Sequence, residues 1–85
     1  MAYVRAEDGV RLHYQVWGPR DGEPLLLVHG PGADHRAWIM QRRALGARYR
    51  CIALDNRGVG SSDKPHGVYD LEQMARDAVR VLDAA

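Results

Sequence analysis

The sequence predicts an α/β chain with a partly parallel sheet, and three observations predict it. Two short runs, Leu25-Leu26-Leu27-Val28 and Arg50-Cys51-Ile52-Ala53-Leu54, are apolar without the period-two alternation of a half-wet strand. That is the pattern of strands covered on both faces. A glycine-rich loop follows each run at once. Helix signals follow each loop, so the order is hairpin, strand, loop, helix, strand, loop, helix.

The hairpin comes first. Tyr3–Arg5 and Val10–Trp17 are strand candidates around Asp8-Gly9, a dipeptide suited to a turn needing positive φ. Val10, Leu12, Tyr14 and Val16 alternate with Arg11, His13 and Gln15, which predicts one buried and one wet face. Residues 18–24 (Gly-Pro-Arg-Asp-Gly-Glu-Pro) form a loop by composition. After Leu25–Val28, a helix is expected from Asp34, whose carboxylate can accept from first-turn amides, through Trp38 and Leu45 to Gly46. The last helix opens at Asp70, with Gln73 three residues on as in a capping box and Tyr69 and Met74 placed as a hydrophobic staple. Leu71, Met74, Ala75, Ala78 and Leu82 share one face of it. No Gly, Asn or Pro closes it before Ala85.

Composition excludes several function classes. The chain has 85 residues, one domain at most, with a hydrophobic fraction of 46% and a charged fraction of 27%, as in a folded globular protein. Twelve basic and 11 acidic residues leave a net charge of +1, no field for nucleic acid or an anionic membrane. The longest aliphatic run is far too short to cross a bilayer, and the first residues hold no signal-peptide core. One cysteine, Cys51, precludes an internal disulfide and fits a reducing compartment, so a cytoplasmic protein is expected. Its mid-strand position suits a small buried thiol.

Leu27-Val28-His29-Gly30-Pro31-Gly32 with Trp38, and then Asp55-Asn56-Arg57-Gly58-Val59-Gly60-Ser61-Ser62-Asp63, together resemble the first half of an α/β-hydrolase. The family's "strand, His-Gly-x-Gly, Trp" and "Asp-x-Arg-Gly-x-Gly-x-Ser" blocks stand in order and at compatible spacing, and the resemblance covers essentially all of residues 1–85. The branch it most resembles holds esterases, enol-lactone hydrolases and C–C bond hydrolases. The resemblance implies a serine nucleophile on a Gly-x-Ser-x-Gly elbow, with an acid and a histidine further on. No such elbow occurs here. In the family it follows the strand after the Asp70 helix. The expectation is therefore a partial domain: strands one to four, the oxyanion loop and the first two helices, truncated before the elbow strand. Such a chain carries no catalytic residue of its own and is expected to be inactive alone. Its parent would act on an ester, lactone or activated C–C bond in a small molecule, with neither cofactor nor metal.

The catalytic element that remains is the oxyanion loop, His29, Gly30, Pro31 and Gly32. In the family the amide after His-Gly points at the developing oxyanion, and one such donor contributes about 3 kcal/mol. Pro31 stands at that position and has no N–H. Either Gly32 supplies the amide from a shifted loop, or a side chain is the donor. By resemblance His29 supports the loop through hydrogen bonds. Asp55, Arg57, Gly58, Gly60, Ser62 and Asp63 are read as a structural loop, pinned through the charges of Asp55, Arg57 and Asp63. A local triad from Ser61 or Ser62, Asp63 and His66 would need a base and an orienting carboxylate in line, which turn formers on one loop do not imply.

The remaining residues invite plainer readings. His13 and His35 are expected at the surface, no pair of histidines has metal-ligand spacing, and Trp38 is expected in the core. Arg42, Arg43, Arg48 and Arg50 read as a solvated face. A nucleotide-binding module is disfavoured: Gly30–His35 lacks a third glycine, Asp34 would repel phosphate, and Asp63 and Pro65 break a phosphate-loop pattern around Lys64. A non-enzymatic alternative is an excised, designed or truncated half-domain that associates. Its partner would be the missing C-terminal half or a second copy, paired through Leu25–Val28.

Overall fold

The computed structural model describes residues 2–29, 34–65 and 70–85. Strands β1 (Ala2–Arg5) and β2 (Arg11–Trp17) form the expected antiparallel hairpin, with Val4 opposite Leu12. Gly9 turns it at φ +87°, a conformation that side chains with a Cβ avoid. On its other side β2 pairs antiparallel with β4 (Tyr49–Leu54), and β4 pairs in parallel with β3 (Glu23–Leu27). The sheet order is β1-β2-β4-β3.

The unbroken apolar run of β4 follows from its place in this order. Ile52 and Leu54 face a cluster with Leu12, Tyr14 and Val81, the last on α2 (Leu71–Ala84). Cys51 and Ala53 face the opposite cluster with Leu27, against which Trp38 and Leu45 pack. With layers on both faces, no position of the strand from Cys51 onward is wet. Cys51 is buried as expected, and burial pushes its thiol up. β3 is less covered, because it is an edge strand: Leu25 and Leu26 are half-buried, and Val28 lies beyond the strand and is 50% exposed.

Several expectations need correction. The single helix from Asp34 to Gly46 is two short pieces, a 3₁₀ turn over His35–Trp38 and α1 over Arg42–Gly46. Asp34 caps the first, accepting from the Arg36 amide, but the bonds that follow close after three residues, Ile39 N to Arg36 O and Gln41 N to Trp38 O. Neither piece fully buries a side chain, so packing does little to hold a continuous helix. Trp38 is half-buried rather than core.

The second correction concerns α2, whose buried face is rotated from the one expected. Asp77 and Val81 are its buried residues, while Leu71 is 84% exposed and Leu82 is also exposed. The ion pair of Asp77 with Arg57 turns the helix this way. Asp70 caps α2 by accepting from the Gln73 amide at 2.7 Å. The Gln73 side chain reaches Asp77 and Arg76. Tyr69, the other half of the expected staple, lies outside the described residues.

The third is β2, where Leu12, His13 and Tyr14 are all buried, so the wet face is interrupted at His13. No helix among the described residues is long and apolar enough to cross a membrane.

Candidate functional site

The loop leaving β4 is organised around one carboxylate. Asp55 is fully buried, and each of its oxygens accepts two hydrogen bonds. Oδ1 takes the His35 amide at 2.7 Å and His35 Nδ1 at 2.8 Å; Oδ2 takes His13 Nδ1 at 2.8 Å and the Ser61 amide at 2.9 Å. Burial alone would raise this carboxyl; the two amides and two imidazoles outweigh it and hold it below the ordinary range. Gly60 completes the cradle at φ +55°, since a Cβ there would run into the Asp55 carboxylate. The expected surface placement of His13 and His35 is thus overturned: His13 is fully buried and the His35 side chain is 15% exposed. Nothing in their sequence neighbourhood signals this, because the carboxylate that recruits them lies 42 and 20 residues away.

His13, His35 and Asp55 each offer a ligand atom within 4.8 Å of the others, a set that spacing along the chain did not suggest. The hydrogen bonds account for it better than a cation does. Metal on His13 Nδ1 would move the ring proton to Nε2, which is buried and has no acceptor. The donor set fits an anchor that ties β2, the 3₁₀ turn and the loop after β4 together.

The rest of the loop is held by further hydrogen bonds and ion pairs. The Ser62 hydroxyl donates to the Asp55 carbonyl and accepts from the His13 amide at 2.8 Å. The Asp63 carboxylate accepts from the Arg11 amide, and Gly58 donates to the Asp63 carbonyl, each at 2.8 Å. Arg57 is buried between two acids, with Nε 2.7 Å from Asp77 and Nη1 2.8 Å from Asp8. These partners raise its own affinity for the proton, while Arg57 holds Asp8 below its ordinary value. Neither acid was read from sequence as a partner of Arg57. An acid among the apolar positions of the last helix is the signal that identifies Asp77.

The Ser62 hydroxyl and the Asp63 carboxylate are therefore taken up by backbone groups, while Ser61 meets the anchor through its amide; His66 lies outside the described residues. So do Gly30, Pro31 and Gly32 of the oxyanion loop. His29 is described. It follows the carboxyl end of β3, is 8% exposed, and its Nδ1 accepts from the Trp38 indole at 3.1 Å. Burial lowers its pKa, against the pull of Asp55 and Asp34. Its carbonyl lies 3.5 Å from the Asn56 amide nitrogen, a long contact. Arg42, Arg43 and Arg48 are exposed as expected and Arg50 is half-buried; Arg42 stacks over Trp17.

Residues 23–85 match the family described as alpha/beta hydrolase fold. Among curated relatives, a non-heme chloroperoxidase of Streptomyces lividans is 38% identical over 99% of this chain, and a putative carbamate hydrolase RutD of Variovorax paradoxus is 47% identical over 86% of it. The chain spans 31% and 28% of those two proteins, less than a third of either. Among solved structures, a hydrolase from Pseudomonas aeruginosa PA01 superposes with a TM-score of 0.94 at 31% identity, over 98% of this chain and 31% of its own. The enol-lactonase from Burkholderia xenovorans LB400 does so at 0.90 and 32%, over 96% of this chain and 32% of its own.

Proposed function

The chain belongs to the α/β hydrolase fold family, and we propose that it is the N-terminal segment of a serine-type hydrolase acting on an ester, lactone or activated C–C bond. The observation that carries the reading is the placement of His29 and Asp55 at the carboxyl ends of the parallel pair β3 and β4, where open α/β sheets receive their ligands. The enol-lactonase superposition supports the substrate class. In this reading the segment contributes the sheet and the oxyanion loop from His29 to Gly32, while nucleophile, acid and catalytic histidine come from further along the protein. The test compares residues 1–85 with the protein extended through the remainder of the domain, on an activated aryl ester and a lactone. Turnover is expected only for the extended protein. Turnover by residues 1–85 that is lost in Ser61→Ala or Ser62→Ala would revive a local nucleophile and sink the reading.

A second reading, self-association of the 85-residue chain, is favoured by the open edge of β3. Among the described residues this strand has a strand partner on one side only. Pro24 protects its start, but Leu25–Val28 carries no charge. Leu71, Val79 and Leu82 add exposed apolar surface on α2. Light scattering is expected to show a dimer or larger species that Leu26→Lys weakens; a monomeric unmodified chain would dismiss it.

A further inference from the structure

Three arginines of this chain show how a guanidinium is used, and one of them is incomplete. Arg57 turns its Nε–Nη2 edge to the Asp77 carboxylate, and Arg36 turns the same edge to Asp34. Arg42 is held by neutral groups instead: its guanidinium lies 4.4 Å from the centre of the Trp17 ring, and Nη1 donates to Gln15 Oε1 at 3.2 Å. Among the described residues no carboxylate meets its Nε–Nη2 edge. Arg42 lines a cavity of about 240 Å³, to which Trp17, Trp38 and Ile39 give an apolar wall and no acid contributes. That is below the usual span for drug-sized ligands and suits about one substituted ring. The cavity lies over Gln15 and Trp17, which pair with Ala53 and Cys51 in the body of β4 and not at its carboxyl end. His35 supplies the second polar group. Its Nδ1 donates to Asp55, so the neutral ring leaves a lone pair on Nε2. That atom has no partner among the described residues, and unlike Nε2 of His13 and His29 it is not buried.

We propose that this cavity binds a small aromatic carboxylate that carries a hydroxyl group. The carboxylate takes the open edge of Arg42 in the two-bonded form that Arg36 and Arg57 already display. The hydroxyl donates to His35 Nε2, and the flat ring packs against the indoles. Both polar groups are fixed in advance, Arg42 by Trp17 and Gln15, and His35 by the two hydrogen bonds of its amide and ring to Asp55. Little side-chain freedom is then lost on binding. A bare inorganic anion would leave the apolar wall wet and His35 Nε2 unfilled, and a neutral ring would leave the Arg42 charge without a counter-ion. Binding is reversible and breaks no bond. The inference stands apart from the hydrolase reading, since it assigns none of these groups to that reaction.

The test is a titration of the protein extended through the remainder of the domain, followed by ¹H–¹⁵N spectra at about pH 8. The probes are 3- and 4-hydroxybenzoate, benzoate and phenol. The tighter hydroxybenzoate is expected to bind with a Kd of about a millimolar or below, benzoate about fivefold more weakly, and phenol more weakly still. Arg42→Ala is expected to weaken the hydroxybenzoate at least about tenfold, while Arg48→Ala, at an exposed arginine outside the cavity, leaves it unchanged. His35→Asn keeps an N–H for Asp55 and removes Nε2. It is expected to erase the preference for hydroxybenzoate over benzoate while benzoate binds as before. In the unmodified protein the His35 Nε2 resonance is expected to move with hydroxybenzoate and not with benzoate, a readout that does not depend on the variant folding. No saturation by about ten millimolar, equal affinity in Arg42→Ala, a His35 Nε2 resonance that stays still, or a hydroxyl preference that survives in His35→Asn would each overturn the proposal. Ester and lactone turnover tests the hydrolase reading separately, and neither result decides the other.

Discussion

The exits of the two parallel strands differ in how their polar groups are used. Leaving β4, Asp55 takes four hydrogen bonds, Ser62 two, and Arg57 lies between two acids. Leaving β3, Val28 is half exposed, and among the described residues His29 Nε2 has no hydrogen-bond partner and the strand has a neighbour on one side only. The first exit is complete within the chain. Among the described residues the second is held where the Trp38 indole donates to His29 and, at longer range, where Asn56 meets the His29 carbonyl.

Stability measurements can break this comparison. The largest effect is expected from Asp55→Ala, which strands two amides and two imidazoles at once: about 4 kcal/mol or more by urea unfolding. Arg57→Met is expected next, at about 3–5 kcal/mol, because it leaves the Asp77 carboxylate buried and unpaired at 1% exposure. A loss under about 1 kcal/mol in either would mean that the β4 exit is not the anchor its contacts suggest.

The two histidines sharpen it. His13→Phe removes a donor from a buried carboxylate and is expected to cost about 2 kcal/mol. His29→Phe removes a donor that has no partner, and the half-buried Trp38 can turn to water, so its effect is expected to stay within about 1 kcal/mol. Equal losses would erase the distinction between the two exits.

How much of this was legible in the sequence depended on how local the signal was. The hairpin turn, the buried run of β4 and the caps at Asp34 and Asp70 all follow from neighbouring residues. The His13–Asp55–His35 anchor did not, since period-two alternation places His13 on the wet face and only the long-range meeting of β2 with the β4 exit reverses that. The rotation of α2 failed for a related reason. A hydrophobic stripe counts apolar residues, whereas the buried face here was set by an acid whose cation lies 20 residues upstream.

The smallest expected effect is also the one that isolates a single group of the β4 exit. Arg57 hydrogen-bonds the Asp8 side chain and holds its carboxyl below the ordinary value of 3.8. A carboxyl depressed in the folded state binds its proton less readily there than in the unfolded chain. It therefore contributes stability that is fully present above the unfolded value and is lost as pH falls through the folded one. Acidification from pH 5 to the region below pH 4, about the unfolded carboxyl range, is expected to shift the urea midpoint less in Asp8→Asn than in the unmodified chain. Asp8 is half exposed, so salt should shrink the difference. Parallel acid profiles for the two proteins would mean that Arg57 is held by Asp77 alone, and that the hairpin turn is not tied to the loop after β4 by charge.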